Sequence, residues 1–216
     1  EDQRILNKDI IPVIGNLHMT EVKKRDIVSV LDRVQNRGAM IACNRTLAVI
    51  SKMFNFALER DVIEIFPVYG IKKRGEERSR ERILSDNEIK LLWGSFSDTS
   101  VSMLLKFLLI TGQRTGETRR MLFSEIEDGF WTIPSERTKN KLTHIVPLSA
   151  MAVDVIRKME KKSESDYVFP GRIKCSDGIA GYKCLEKNVA AHYFRKILKN
   201  FDWKRTTVHD LRRTVR

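Results

Sequence analysis

Four side chains in this sequence have the types and spacing for phosphate chemistry. Arg114 lies in "TGQRTGE" (111–117), Lys139 in "TKNK" (138–141), and His209 with Arg212 in "HDLRR" (209–213). Two arginines can clamp a phosphodiester and spread the charge that builds in its transition state, while a lysine and a histidine move protons, with no metal needed. Arginine suits the clamp because its planar fork meets two oxygens at once and never loses its charge. Each motif has a plainer reading on its own. Arg114 and Glu117 are spaced to pair across a helix-to-helix turn, "TKNK" reads as a solvated hairpin tip, and "HDLRR" as a basic helix start. The combination is far more specific than any part.

The elements around these residues explain how they could be held. Arg114 follows the apolar run "MLLKFLLI" (103–110), read as a buried helix over 99–111, and the two flanking glycines permit a tight turn. A further short helix follows Arg114. Lys139 falls between two β-rich runs, "GFWTIP" (129–134) and "HIVPLS" (144–149). The polar interval makes either a long hairpin loop or a third strand with a turn. His209 and Arg212 are spaced i, i+3 and share one face of a helix that Thr207 caps, with Asp210 at the third position. The free N–H groups at the start of that helix suit an anion. "LSDNEI" (84–89) is a complete helix start: Ser85 caps, Glu88 closes the box, Leu84 staples to Ile89, and the helix runs over 86–95. "SAMAVDVIRKMEKK" and "CLEKNVAAHYFRKILKN" are amphipathic helices, and "DYVFP" (166–170) fits one more short strand.

Upstream lies a separate all-helical region. Residues 20–37 read as a helix capped by Thr20 and ended by Gly38, with Ile27, Val30, Leu31 and Val34 on its apolar face. A second helix covers about 40–60, with Leu47, Ile50, Met53, Phe54 and Ala57 inward. The basic side chains Lys23, Lys24, Arg25 and Arg45 are either a solvated face or contacts to DNA phosphates. "KKRGEERSRER" (72–82) is too charged to fold alone and reads as a linker, with Lys72, Lys73 and Arg74 as further phosphate contacts. The organisation is therefore a helical bundle over 1–71, a basic linker over 72–83, and a mixed domain over 84–216. The fold class is mainly α with a small antiparallel β-sheet. We find no internal repeat.

Composition narrows the partners. The 216 residues carry 40 Lys and Arg against 28 Asp and Glu, a net charge of +12, which favours nucleic acid over an acidic membrane surface. Three scattered cysteines, Cys43, Cys175 and Cys184, make no disulfide framework and no zinc-finger spacing, which suits a reducing compartment. No cofactor or metal is implied, and no apolar run is long enough to span a bilayer. The sequence reads as a fragment at both ends, lacking an initiator Met and stopping inside a helix.

The motifs "TGQRTGE", "WTIPSERTKNKLTHIVPLS" and "TVHDLRRT", in this order and spacing, resemble the tyrosine recombinases of the phage and genomic-island integrase branch. "PVIGNLHMTEVKKRDIVSVLDRV" and "ISKMFNFALERDVIEIFPVYGIK" resemble that branch's helical, SAM-like core-binding domain, which closes over DNA opposite the catalytic domain. The resemblance touches nearly the whole chain. It implies a site-specific recombinase that cuts and rejoins DNA through a 3′-phosphotyrosyl intermediate to integrate or excise a prophage or genomic island. It further implies a homotetramer on double-stranded attachment-site DNA, a bacterial cytoplasmic, nucleoid-associated location, and no membrane. By resemblance, Arg114 and Arg212 hold the non-bridging oxygens, Lys139 protonates the departing 5′ oxygen, His209 serves in proton transfer at the nucleophile, and Glu117 braces the arginine site. Lys141 is a neighbour that competes with Lys139 for its role. The family's tyrosine follows the H-x-x-R element, whereas Tyr69, Tyr167, Tyr182 and Tyr193 all precede His209. The fragment therefore holds the clamp without the attacking group.

Three rivals stand beside this reading. A metal-dependent nuclease or transposase would need carboxylates converging on Mg²⁺, and the acids here are scattered. A catalytically inactive integrase remnant that only binds DNA or regulates would have less reason to retain the Arg/Lys/His/Arg set. A type IB topoisomerase shares the chemistry but fits the N-terminal half less well.

Overall fold

The computed structural model describes residues 1–77, 81–162, 164–174 and 182–215. The chain divides into two compact units, Glu1–Arg80 and Glu81–Arg216.

The first unit is all helical. It opens with α1 (Asp2–Ile5), a π-helical turn (Leu6–Ile10) and α2 (Ile11–Ile14), followed by α3 (Lys24–Gln35) and α4 (Met40–Leu58). The apolar stripe of α3 is buried as expected, through Ile27, Val30, Leu31 and Val34, against Cys43, Leu47, Ile50, Phe54 and Ala57 of α4. The start of α3 differs from expectation. It begins at Lys24 rather than after Thr20, because the Asp26 carboxylate accepts the Lys23 N–H at 2.8 Å and satisfies one of the helix's orphan donors. The helix stops before Gly38, whose φ of +72° is the left-handed conformation that glycine adopts freely.

Residues 74–77 of the basic stretch are fastened to α4 by one buried polar side chain. Asn44 donates to the Gly75 carbonyl at 2.7 Å and to Glu77 Oε1 at 2.9 Å, and accepts the N–H groups of Arg74 and Gly75. On the far side of residues 78–80, which are outside the described residues, Arg82 pairs with Glu88 and donates to the Ile83 carbonyl at 2.7 Å.

The second unit starts with α5 (Asp86–Gly94), whose Ser85/Glu88 capping box forms as read, with Leu84 buried and Ile89 packed on the same cluster. The central helix is α6 (Ser100–Thr111), followed by the single turn α7 (Thr115–Thr118). Strands β1 (Ile126–Glu127), β2 (Phe130–Ile133) and β3 (His144–Pro147) form an antiparallel sheet in the order β1-β2-β3. The third strand thus comes from before "GFWTIP" and not from the polar interval. Asp128 and Gly129, with φ of +47° and +81°, make the tight turn that allows it. The interval itself holds a 3-10 turn, Ser135–Arg137, and a loop. Trp131, Ile133 and Val146 point inward, and Phe107 of α6 meets Trp131 and Phe169 edge-on or tilted, with ring centroids 6.0 and 5.7 Å away.

Helix α8 (Ala150–Glu160) follows, capped by Ser149. "DYVFP" is not a strand in itself. Tyr167 makes one bridge to Leu122, Val168 and Phe169 are buried, and extended pairing begins only with β4 (Pro170–Lys174) against β5 (Tyr182–Cys184). Helices α9 (Val189–Leu198) and α10 (Val208–Thr214) close the unit, and α6 packs against α8, α9 and α10. Cys43 and Cys184 are free thiols; Cys175 lies outside the described residues. Among the described residues no helix is long and apolar enough to cross a membrane.

Candidate active site

The turn that carries Arg114 is set by the glycine before it. Gly112 ends α6 in the left-handed conformation, φ +62°, and its N–H closes the helix on the Leu108 carbonyl at 2.9 Å. A Cβ at Gly112 would sit 3.2 Å from Val215 Cβ, 3.3 Å from Val215 Cγ1 and 3.8 Å from the Arg212 carbonyl. The absence of a side chain therefore lets the Arg114 turn lie directly on the end of α10. Gly116 differs: its Cβ would meet nothing and its φ is not left-handed, so close approach is the role of Gly112 alone.

Arg114 is the N-cap of α7. Its carbonyl accepts the N–H groups of Glu117 and Thr118 and the Thr118 hydroxyl, which pins its backbone. Its Nη1 donates to Glu117 Oε1 at 2.9 Å, with Glu117 buried and the arginine side chain half exposed. Buried Oε2 of Glu117 has no hydrogen-bond partner among the described residues. A buried acid thus holds one edge of the guanidinium and leaves its other donors for an anion.

Helix α10 brings the second half. Asp210 is fully buried and accepts from the Thr207 N–H at 2.8 Å and the Thr207 hydroxyl at 2.7 Å, and it pairs with Arg213. Burial pushes the Asp210 carboxyl up, but these hydrogen bonds and the Arg213 charge outweigh it and leave the group below its ordinary range. The helix has seven residues, and the Asp210 carboxylate satisfies the Thr207 N–H at its start. The Thr214 hydroxyl donates to the Asp210 carbonyl at 2.8 Å and accepts the Leu84 N–H at 3.1 Å, fixing the far end.

His209 is exposed on α10, yet the packing under its ring desolvates it in part, and the charges of Arg213, Arg212 and Arg114 add to that. All four effects favour the neutral ring and hold its pKa below the ordinary 6.5, with Asp210 opposing them. The field of Arg114 at His209 and the contact of Gly112 with α10 are independent signs that Arg114, Glu117, His209 and Arg212 form one cluster. A neutral imidazole beside three guanidinium groups is suited to accept a proton where an anion is bound.

Lys139 is exposed on the loop between β2 and β3. Among the described residues neither its ammonium nor that of Lys141 has a hydrogen-bond or ion-pair partner. The loop around them is nevertheless closed. The buried Thr138 hydroxyl bridges the Ser135 and Leu142 carbonyls at 3.0 and 2.8 Å, and Lys141 adopts a left-handed φ of +56°. Of the tyrosines, Tyr193 shares a 3.0 Å hydrogen bond with Ser97, the Tyr167 backbone makes one bridge to Leu122, and Tyr69 belongs to the first unit. The side chain of Tyr182 lies outside the described residues.

Of the basic residues in the first unit, Lys23, Lys24 and Arg25 stand exposed at the start of α3, Arg45 is exposed on α4, and Lys72 and Lys73 are exposed. Lys73 and Arg45 both lower the Glu77 carboxyl pKa, after the larger effect of the Asn44 hydrogen bond, so they lie near one another. Arg74 is different, since it pairs with Asp32 at 2.9 Å and donates to Gln35 at 2.8 Å. Asn44, Glu125 and Arg137 were not among the expected site residues. A polar Asn amid the buried face of α4 was the available signal for the first. Nothing in the local pattern marks Glu125 and Arg137, which are far apart in sequence. Among the described residues no group of three or more His, Cys, Asp or Glu side chains is gathered that could hold a metal ion.

Both units match known protein families. Residues 81–216 match the model of the Phage integrase family, and residues 2–74 that of the Phage integrase central domain. Prophage integrase IntA of Escherichia coli K12 is 30% identical over 180 residues, covering 79% of this chain and 44% of that protein. Prophage integrase IntS of the same organism is 25% identical over 93% of this chain and 58% of its own length. The chain thus spans about half the length of these curated relatives. Among solved structures, a lambda integrase (75-356) dimer bound to a COC′ core site overlays 99% of this chain and 79% of its own, at a TM-score of 0.81 and 15% identity, a likeness of fold. With family models matching both units, this chain belongs to the phage integrase family.

Proposed function

We propose that this chain supplies the DNA-grasping and phosphate-activating parts of a tyrosine-type site-specific recombinase, one that integrates or excises a prophage or genomic island. In this reading residues 1–71 are the core-binding domain, 72–83 the linker and 84–216 the catalytic domain. Support comes first from Arg114, Glu117, His209 and Arg212 gathering where Gly112 abuts α10. The family relationship and the net charge of +12 point the same way.

The chemistry follows from the residues. Arg114 and Arg212 hold the two non-bridging oxygens of the scissile phosphate and stabilise the charge that grows on them. A tyrosine oxygen attacks phosphorus, and its proton passes to neutral His209. As the P–O5′ bond breaks, the Lys139 ammonium gives its proton to the departing 5′ oxygen. Rejoining runs these transfers backward, so no bond energy is lost to water. The active form is a tetramer on duplex attachment-site DNA, by analogy with a lambda integrase tetramer bound to a Holliday junction, and it works in the bacterial cytoplasm, on the nucleoid. None of the four tyrosines present stands where the family's nucleophile does.

The test is covalent trapping. The full-length protein is mixed with a nicked duplex whose cleaved end diffuses away. It should yield a 3′-phosphotyrosyl band on a denaturing gel, while residues 1–216 alone bind the duplex without forming one. An adduct from residues 1–216 alone would show that an upstream tyrosine attacks.

A further inference from the structure

Beside the loop that carries Lys139 lies a buried ion pair that the reaction itself does not use. Arg137 ends the 3-10 turn two residues before Lys139, and its side chain is largely buried. One arm pairs with Glu125 Oε1; the other donates to the Arg120 carbonyl. Glu125 is itself fixed from three sides, because its Oε2 accepts the Trp131 indole N–H at 3.1 Å and the Leu122 N–H at 3.2 Å. Trp131 is fully buried in β2, so this carboxylate is anchored to the sheet. Arg120 lies three residues after Glu117, at the exit of α7, the turn whose N-cap is Arg114.

One guanidinium therefore ties the base of the Lys139 loop to Glu125, which Trp131 of the sheet holds, and to Arg120, just past the C-cap of α7. On the loop side, Thr138 then closes the chain on Ser135 and Leu142, so the position of Arg137 is passed to Lys139 through one residue. A single ammonium could not serve, since it lacks the rigid fork that reaches a carboxylate and a carbonyl at fixed angles. This rigid support matters because a general acid works only within hydrogen-bond reach of the oxygen it protonates. We infer that Arg137, held by Glu125, is a positioning residue that sets Lys139 against the phosphate gripped by Arg114. The inference rests on the reading of Lys139 as the general acid.

The test uses the full-length protein on two matched substrates, one with the natural 5′ oxygen at the cut and one with sulfur there. Sulfur leaves as a thiolate and needs no proton. Arg137→Lys keeps the charge opposite Glu125 but loses the fork. The pair Glu125→Gln with Arg137→Met removes both charges, so that neither is left buried alone if the single variant folds poorly. Both are checked for duplex affinity and thermal midpoint. Each is expected to cut the oxygen substrate roughly 10²-fold more slowly, the scale for a misplaced catalytic group. Both should cut the sulfur substrate within about two-fold of the parent, as Lys139→Ala should also do. Equal slowing on both substrates, or no slowing on either, in variants that bind DNA normally would overturn the positioning role. Should Lys139→Ala fail to recover on sulfur, the general-acid reading falls instead, and the inference with it.

Discussion

The two glycines of "TGQRTGE" should respond to alanine in opposite ways. At Gly112 the backbone is left-handed, φ +62°, and an L side chain there costs roughly 1–2 kcal/mol. The new methyl would also press on Val215, at 3.2 and 3.3 Å, a contact that must open by a few tenths of an ångström. At Gly116 the Cβ meets nothing and the residue lies inside α7, so alanine removes unfolded-state freedom at no steric cost. Gly116→Ala should therefore be neutral or stabilise by up to about 1 kcal/mol. For a unit of this size, Gly112→Ala should lower the thermal midpoint by roughly 3–8 °C. Asparagine tolerates the left-handed region better than alanine. Gly112→Asn should thus recover part of the loss and separate backbone strain from the Val215 contact. Thermal unfolding followed by circular dichroism on residues 1–216 is enough. Equal effects of alanine at the two glycines, or a Gly112→Ala protein as stable as the parent, would refute the packing of this turn on α10.

Other outcomes follow from the same structure. The folded pKa of His209 lies below its ordinary 6.5, so the unfolded chain binds more protons just below that pH, and stability should rise with pH through this window. His209→Gln should flatten that rise, and NMR titration of the ring should show a midpoint under 6.5; a midpoint above it would contradict the arginine cluster. Duplex binding should weaken steeply with salt, with a log–log slope of about −0.9 per phosphate neutralised. Lys24→Ala or Arg25→Ala should each reduce that slope by about 0.9. Arg74→Ala, which loses the Asp32 and Gln35 partners, should lower stability and leave the slope nearly unchanged.

What was readable in the sequence is what local rules govern. The Ser85/Glu88 box, the Thr207/Asp210 box and the apolar stripes of α3, α4 and α6 form where periodicity and capping put them. Arg114, His209 and Arg212 could be named from motif chemistry and Glu117 from the resemblance, although the two stretches that carry them meet through the packing of α6 and Gly112 on α10. Local competition explains the miss at the start of α3, where Asp26 took the cap expected of Thr20. The strand Ile126–Glu127 is only two residues long, and the "Asp-Gly" hairpin signal at 128–129 is its one mark in the sequence. The Arg137–Glu125 pair and the hold of Asn44 on residues 74–77 join positions distant in sequence, which no local pattern reports.

In the proposed mechanism two arginines on packed elements activate a DNA phosphate without a metal. The direct measurement is the single-turnover rate of adduct formation by the full-length protein on a nicked duplex in EDTA, with Arg114→Ala beside the parent at saturating protein. The parent should form adduct at the same rate with or without divalent cation. Arg114→Ala should bind the duplex nearly as tightly yet react roughly 10²–10³-fold more slowly, the loss expected for one transition-state donor. A parental rate from Arg114→Ala, or a parent that reacts only when divalent metal is restored, would contradict the account.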